Sequence, residues 1–70
     1  MSDATYAVTE IVGTSTESLD QAIRNGIRKA GETLRNLDWF EVTNIRGFLG
    51  HTSEVQHFQV TIKVGFKYEE

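Results

Sequence analysis

The stretch VQHFQVTIKVGFKY, from Val55 to Tyr68, decides the fold, because apolar and polar residues alternate along it more regularly than elsewhere in the chain. Side chains of a β-strand point alternately to the two faces of a sheet. The apolar set comprises Phe58, Val60, Ile62, Val64, Phe66 and Tyr68, and the opposite set comprises His57, Gln59, Thr61, Lys63, Gly65 and Lys67. The pattern therefore predicts a long strand whose apolar face is buried against another element.

The preceding segments complete the order strand, helix, strand, strand. Tyr6 to Val12 is rich in β-branched and aromatic residues, which is typical of a short strand. From Leu19 to Leu37, apolar residues recur at steps of three and four, which predicts an amphipathic helix of about five turns. Trp39 to Phe48 is predicted as the second strand, joined to the third by a turn at Gly50 to Ser53. The sequence thus predicts one α+β domain over residues 1–70.

The start of the helix and its glycines allow more than one interpretation. Thr14 has capping-box spacing to the glutamate three residues later, and Ser15 or Thr16 is an equally good N-cap. A loop of this kind can bind an anion at a helix N-terminus, but it lacks the lysine of a phosphate-binding loop, which favours a plain helix entry. Gly26 and Gly31 are unfavourable inside a helix, so we expect them to serve close packing on the sheet.

Composition points to self-association. A chain of 70 residues can bury only a marginal core, and such domains are usually stabilised by disulfides, a metal or oligomerisation. The chain has no cysteine, which excludes disulfides and thiolate metal sites. Its two histidines, His51 and His57, share no ligand spacing, so no metal site is predicted. Contact with further copies of the chain is the remaining stabiliser.

Charge and motif content exclude several classes of function. The formal net charge of -3 argues against a nucleic-acid partner, which requires a clustered basic surface. No apolar run approaches the roughly 20 residues that span a bilayer, and Met1 to Ala4 does not open a secretory signal. We therefore expect a cytoplasmic protein with no membrane partner. Catalytic motifs are also missing from the sequence, which favours a protein that is not an enzyme.

One face of the predicted sheet is left over, because a single helix covers only the other. The leftover face carries Gln59 and Thr61, with Trp39 nearby on the neighbouring strand, so it is semi-polar and not densely charged. Long strands open on one side promote aggregation of a monomer. We expect this face to pack against the same face of another copy, with any ligand held between them.

Three residues are candidates for binding a flat heteroaromatic ligand. Trp39 is either core or a stacking platform for an electron-poor ring. The amide of Gln59 offers a donor and an acceptor together, which matches the pyrimidine edge of a flavin or a nucleobase. Arg46 is either a surface charge or a bidentate phosphate ligand. For Trp39 and Arg46, the residues alone leave both interpretations open.

The order and spacing of several short segments resemble the dodecin family. The segments are Val12–Ser15, Leu37–Val42, Ile45–Gly47, Phe58–Val60 and Val64–Lys67, and the resemblance extends from about Tyr6 to Glu69. It implies a β-α-β-β fold in which a three-stranded antiparallel sheet wraps one helix, and twelve copies that form a hollow sphere. It also implies paired flavins stacked between tryptophans of neighbouring subunits.

By the motif match, Trp39 would be the stacking tryptophan and Gln59 the residue that hydrogen-bonds the flavin edge. Arg46, in an Ile-Arg-Gly motif, would lie near the flavin phosphate, which favours FMN over riboflavin or other flavins. Some bacterial dodecins also bind coenzyme A, and Tyr6, Lys29 and Lys67 fall where such contacts occur, although relatives often carry arginine at the position of Lys67. The implied function is storage and photoprotection of flavin in a homododecamer. The alternatives are a flavin-free assembly module that binds coenzyme A or another nucleotide, a flavoenzyme, and a sheet-based RNA binder.

Overall fold

A computed structural model describes residues 3–68, and it contains the four predicted elements in the predicted order. They are β1 (Tyr6–Ser15), α1 (Leu19–Ala30), β2 (Leu37–Leu49) and β3 (Val55–Lys67). The strands form one antiparallel sheet in the order β1-β3-β2, so the central strand is the last in sequence. The predicted α+β class, the β-α-β-β order and the β2–β3 hairpin are confirmed. The predicted ends of the domain, and Glu69 at the end of the resemblance, lie outside the described residues.

The helix is shorter than the sequence predicts. It ends at Ala30 and not at Leu37, because Gly31 caps it and donates its backbone N–H to the carbonyl of Ile27 at 2.9 Å. Asn36 then adopts a left-handed conformation with φ 63°, which turns the chain into β2. Leu37 keeps the apolar spacing of the helix, yet it contacts the core from the first position of the strand. Periodicity alone does not distinguish a residue in the last turn of a helix from one at the start of the next strand when both contact the same core.

The N-cap also differs from the prediction. Ser18 caps the helix, and its hydroxyl accepts the backbone N–H of Gln21 at 3.0 Å. The three candidates predicted from the sequence, Thr14, Ser15 and Thr16, all precede the cap. β1 continues beyond Val12 to Ser15, because Gly13, Thr14 and Ser15 pair with β3.

The core lies between α1 and the central strand. Val60, Ile62 and Val64 of β3 are almost fully buried, and they pack against Ala22 of the helix. Phe58 is half-buried beside this cluster. The predicted burial of the apolar face of β3 is thus confirmed from Phe58 to Val64. It is wrong for Tyr68, which is exposed beyond the end of the strand, while Phe66 is half-buried.

A backbone-to-backbone approach fixes the helix on β1. A Cβ added at Gly13 would run into the carbonyl oxygen of Ala22 and would lie 3.1 Å from the backbone nitrogen of Gly26. Asn25 strengthens the approach, since its side-chain amide donates to the carbonyl of Thr14 at 3.0 Å. The predicted packing role is confirmed for Gly26. It is wrong for Gly31, which is the C-cap residue and lies outside the helix interior.

The helix lies over β1 and β3 and leaves β2 beyond its edge. Phe40 of β2 is therefore 51% exposed, and Ile45 is exposed as well. An open groove of about 420 Å³ separates Phe40 from the helix, where Ile23 and Ile27 form its apolar wall. Apolar side chains that should be buried by the fold are thus left at the surface of a single chain.

A single chain is extended for its size. Its radius of gyration is 14.7 Å and its dimensions are 57 × 20 × 14 Å, whereas a compact chain of this length has a radius of about 11 Å. The accessible surface is 5270 Å², against roughly 4400 Å² for a compact monomer of this mass. Among residues 3–68, no helix has the length and apolar character needed to cross a bilayer.

We expect the substitution Gly13→Ala to lower the free energy of unfolding by about 1–3 kcal/mol, because the new methyl group overpacks the contact with the backbone of Ala22. Urea denaturation at one fixed protomer concentration measures the change. The matched control is Gly47→Ala, where the nearest atom to the new Cβ is the carbonyl oxygen of His57 at 3.6 Å. Equal stability of the two variants would contradict the close approach.

Candidate functional site

The sheet face opposite α1, here called the outer face, carries the residues predicted to bind a ligand. Its side chains form rows across the three strands, because directly paired residues of antiparallel strands share a face. One row is Val8, Gly65 and Trp39, the next is Glu10, Lys63 and Glu41, then follow Val12, Thr61 and Asn44, and then Thr14, Gln59 and Arg46. Trp39, Gln59 and Arg46 thus lie on one surface.

Two irregularities in β2 create this arrangement. Trp39 and Arg46 are seven residues apart, so strict alternation would place them on opposite faces. The register shifts between Val42 and Asn44, which leaves Thr43 as an extra residue and returns Arg46 to the face of Trp39. A first shift between Leu37 and Trp39 sends Leu37 to the core and Trp39 to the outer face.

Trp39 rests on the backbone of the central strand. A Cβ added at its cross-strand partner Gly65 would collide with the indole and would lie 2.6 Å from its Nε1. The glycine is buried beneath the ring, while Trp39 itself remains 39% exposed. The indole therefore covers the sheet and still presents surface to a ligand. In a single chain it is not a core tryptophan.

Tyr6 and Asp38 adjoin the tryptophan. The phenol ring of Tyr6 lies 6.2 Å from the indole of Trp39 between centroids, at an interplanar angle of 59°. Its hydroxyl donates to Oδ2 of Asp38 at 2.7 Å. This hydrogen bond, burial of the phenol and the charge of the carboxylate together raise the pKa of Tyr6 above its ordinary value. The phenol is therefore neutral at physiological pH.

Arg46 and Gln59 are direct cross-strand neighbours on the outer face. Side chains in such pairs have Cβ atoms about 5 Å apart, so the guanidinium and the amide can contact one ligand. Gln59 is half-buried and Arg46 is exposed. In the adjacent row the rings of Phe48 and His57 stack, with centroids 4.5 Å apart and an interplanar angle of 10°.

The rows of Trp39 and Gln59 lie far apart in one chain. Their positions on β3 are Gly65 and Gln59, which at 3.3 Å per residue are roughly 20 Å apart. The charged row of Glu10, Lys63 and Glu41 lies between them. The structure brings Arg46 and Gln59 together, but it does not bring Trp39 to them within one protomer.

The residues predicted to bind coenzyme A are also not all brought together within one chain. Tyr6 and Lys67 are cross-strand neighbours. Lys29 lies on the helix, where its ammonium group pairs with Glu32 at 3.3 Å. The hydroxyl proton of Tyr6 is already engaged by Asp38.

Sequence reasoning did not identify Gly65 or Asp38 as parts of the site. A glycine inside an alternating strand often marks a close approach of another group, and this was the available signal for Gly65. For the two bulges in β2 the sequence gives no comparable signal, because no glycine or proline stands at Asp38 or Thr43.

The fold and this face together define a small β-α-β-β domain with an uncovered sheet face, and comparison with known proteins assigns its family. The family model for dodecin matches residues 5–69. A curated dodecin from Thermus thermophilus is 49% identical over 65 residues, which are 93% of each chain. The solved dodecin from Streptomyces davaonensis is 59% identical with a TM-score of 0.92, covering 99% of this chain and 100% of its own. The chain belongs to the dodecin family, as the segments quoted above predicted.

A more distant structure has the same fold. A calcium-chelating dodecin from Mycobacterium tuberculosis is 22% identical, with a TM-score of 0.79, and the match covers 93% of this chain and 91% of that one. At this identity the likeness concerns the fold alone. Within residues 3–68 of one chain, no group of three or more His, Asp or Glu side chains is arranged to hold a metal ion.

We expect Gly65→Ala to displace the indole of Trp39, because the new methyl group occupies the space of the ring. Trp39 is the only tryptophan, so its fluorescence and near-ultraviolet circular dichroism report on the site directly. A changed emission maximum with retained far-ultraviolet dichroism is the expected result. Gly47→Ala is the control for a methyl group added elsewhere in the sheet, and an unchanged Trp39 spectrum in Gly65→Ala would contradict the seating of the ring on Gly65.

Proposed function

We propose that the protein stores flavin, preferably FMN, between copies of itself and protects it from light, without catalysing a reaction. The observation that carries the proposal is the distance, on one face of the sheet, between the candidate binding residues. Trp39 is too far from Gln59 and Arg46 for one chain to apply all three to one small ring. A second copy that presents the same face completes the site.

Assembly is supported by the exposed surface of the single chain. Its radius of gyration and accessible area exceed those of a compact monomer. Phe40 and Ile45 are exposed beside the helix, and Val8 and Val12 are exposed on the outer face. Burial of these side chains between copies supplies the hydrophobic free energy that the small core lacks. The homododecamer of the family is the proposed form.

The residues on the outer face fit the chemistry of a flavin. Trp39 presents an exposed, electron-rich ring on a rigid floor, which suits stacking with an electron-poor heteroaromatic ring. Gln59 offers a donor and an acceptor to a pyrimidine edge. Arg46 beside it supplies a positive charge for the phosphate of FMN.

Storage and protection follow from what these residues do. A bound flavin contributes absorption of visible light and the reactivity of its excited state. Trp39 would stack on the ring and serve as the electron donor that quenches this state before slower photochemistry. The subunits would exclude water and oxygen from the ring. The proposed location is the cytoplasm.

A titration of FMN into the apo protein tests the proposal. We expect deep quenching of flavin fluorescence that saturates near one flavin per chain, on a particle of about twelve chains by light scattering. Trp39→Ala should weaken binding by at least about tenfold while the particle persists, because stacking and desolvation of the ring are lost together. Phe48→Ala, which removes an exposed aromatic ring from the same face, is the matched control. Wild-type affinity in Trp39→Ala would overturn the platform role.

The role of Arg46 is tested by comparing two ligands. Arg46→Ala should weaken FMN more than riboflavin, because only FMN carries the phosphate, and a charge-assisted contact is worth about 1.5–3 kcal/mol. Arg35→Ala removes an exposed arginine from the turn after the helix and controls for net charge. Equal losses for the two flavins on an intact particle would argue against a phosphate contact.

The alternative is a flavin-free assembly that binds coenzyme A or another nucleotide through Tyr6, Lys67 and Lys29. The pairing of Tyr6 with Lys67 across the strands favours it, since both side chains lie at one end of the outer face. It predicts a colourless particle whose Trp39 fluorescence does not respond to FMN but does respond to coenzyme A.

A further inference from the structure

The first bulge of β2 leaves Trp39 without a regular strand on its N-terminal side. Asp38 has no partner on β3, whereas Leu37 and Trp39 pair with Phe66 and Gly65. A bulged residue interrupts the ladder and loosens the restraint on the direction of its neighbour. The orientation of the indole therefore needs a restraint beyond the backbone ladder.

Tyr6 supplies this restraint from the opposite edge strand of the sheet, and the side chain of Asp38 holds it there. Tyr6 belongs to β1 and Asp38 to β2, and the central strand β3 lies between them. The Tyr6 hydroxyl to carboxylate distance of 2.7 Å is short, as in charge-assisted hydrogen bonds. The bond therefore links the two outer strands across the strand that carries Gly65.

The same tyrosine contacts the tryptophan with its ring. The centroid distance of 6.2 Å and the tilt of 59° fall within the favoured range for aromatic pairs. Trp39 thus has a floor at Gly65 and a side wall at Tyr6, and the wall is held in place by the residue that precedes Trp39.

We propose that Tyr6 and Asp38 are a positioning pair that holds the indole of Trp39 in its stacking orientation before a ligand arrives. The proposal rests on the proposed function for its consequence in flavin binding, but the orientation itself is a property of the ligand-free chain. A pre-oriented ring loses less side-chain entropy on binding, so the pair raises affinity without contacting the ligand. Tyr6 then acts through Trp39, which differs from the coenzyme A contact that the sequence suggested for it.

The first test uses the apo protein and the dichroism and acrylamide quenching of Trp39. Tyr6→Phe keeps the ring and removes the hydroxyl, and Asp38→Ala removes the acceptor, so both should weaken the near-ultraviolet signal and raise quencher access. Asp38→Asn keeps an acceptor oxygen and should retain most of the wild-type signal. Tyr68→Phe, at an exposed tyrosine beyond the end of β3, is the control. Wild-type spectra in both Tyr6→Phe and Asp38→Ala would overturn the proposal.

A double-mutant cycle separates a shared function from two independent structural effects. The combined variant Tyr6→Phe with Asp38→Ala should change the Trp39 signal no more than either single substitution, because both remove one hydrogen bond. Additive changes would refute the pairing. Raising the pH through the raised pKa of Tyr6 should reproduce the change in the wild type, since ionisation removes the hydroxyl proton. The response must vanish in Tyr6→Phe, which lacks the ionisable hydroxyl and keeps the neighbouring Lys67 and Asp38.

The second test measures affinity for FMN with the same variants, after light scattering has verified the particle. Tyr6→Phe should weaken FMN and riboflavin equally, by about fivefold, the factor expected from the net contribution of one hydrogen bond. Equal weakening distinguishes a residue that orients the stacking ring from one that contacts the phosphate. Altered Trp39 spectra with unchanged FMN affinity would overturn the link to binding. If the wild type binds no FMN, the proposed function fails, and the spectra alone decide whether the pair orients Trp39.

Discussion

The close approach of Gly13 and Gly26 is the contact on which the remaining architecture depends. Because neither residue has a side chain, the backbone of α1 descends onto β1, and Asn25 holds it there through the carbonyl of Thr14. The helix is thereby placed over β1 and β3, where it buries Val60, Ile62 and Val64. Phe40 and Ile45 of β2 are left exposed on the helix side of the sheet. A helix centred over all three strands would cover Phe40 and Ile45 and leave less apolar surface to be buried between copies. A helix farther from β1 would leave a gap in the core.

The central strand serves both sides of the sheet at once. Its inward residues form the core, and its outward residues form the middle of every row on the outer face. A one-residue change of register in β3 would therefore exchange the residues of the core with those of the outer face. This dual use accounts for the regular alternation from Val55 onward, since each position is constrained by one face or the other.

The alternation of apolar and polar residues was sufficient to predict β3, its buried face and the hairpin it forms with β2. A period of two sustained over so many residues is typical of a strand and of no other regular element. The helix was predicted at the right place but extended too far. Leu34 and Leu37 keep the helical spacing although they follow the end of the helix, and Leu37 packs against the core from β2. Trp39, Gln59 and Arg46 could be nominated from residue chemistry and from the resemblance. Their shared face could not, because it depends on an extra residue at Thr43 that leaves no mark in composition or periodicity.

The bulge at Thr43 also determines which changes of chain length the fold can accept during evolution. Deletion or insertion of a single residue between Trp39 and Arg46 would reverse the direction of every side chain on one side of the changed position. The indole and the guanidinium would then lie on opposite faces of the sheet. The tip of the hairpin, from Gly50 to Ser53, lies outside the paired segments, and a residue gained or lost there changes neither face. Relatives that retain the side-chain rows of the outer face should therefore vary in length at the tip and be constant in length within β2.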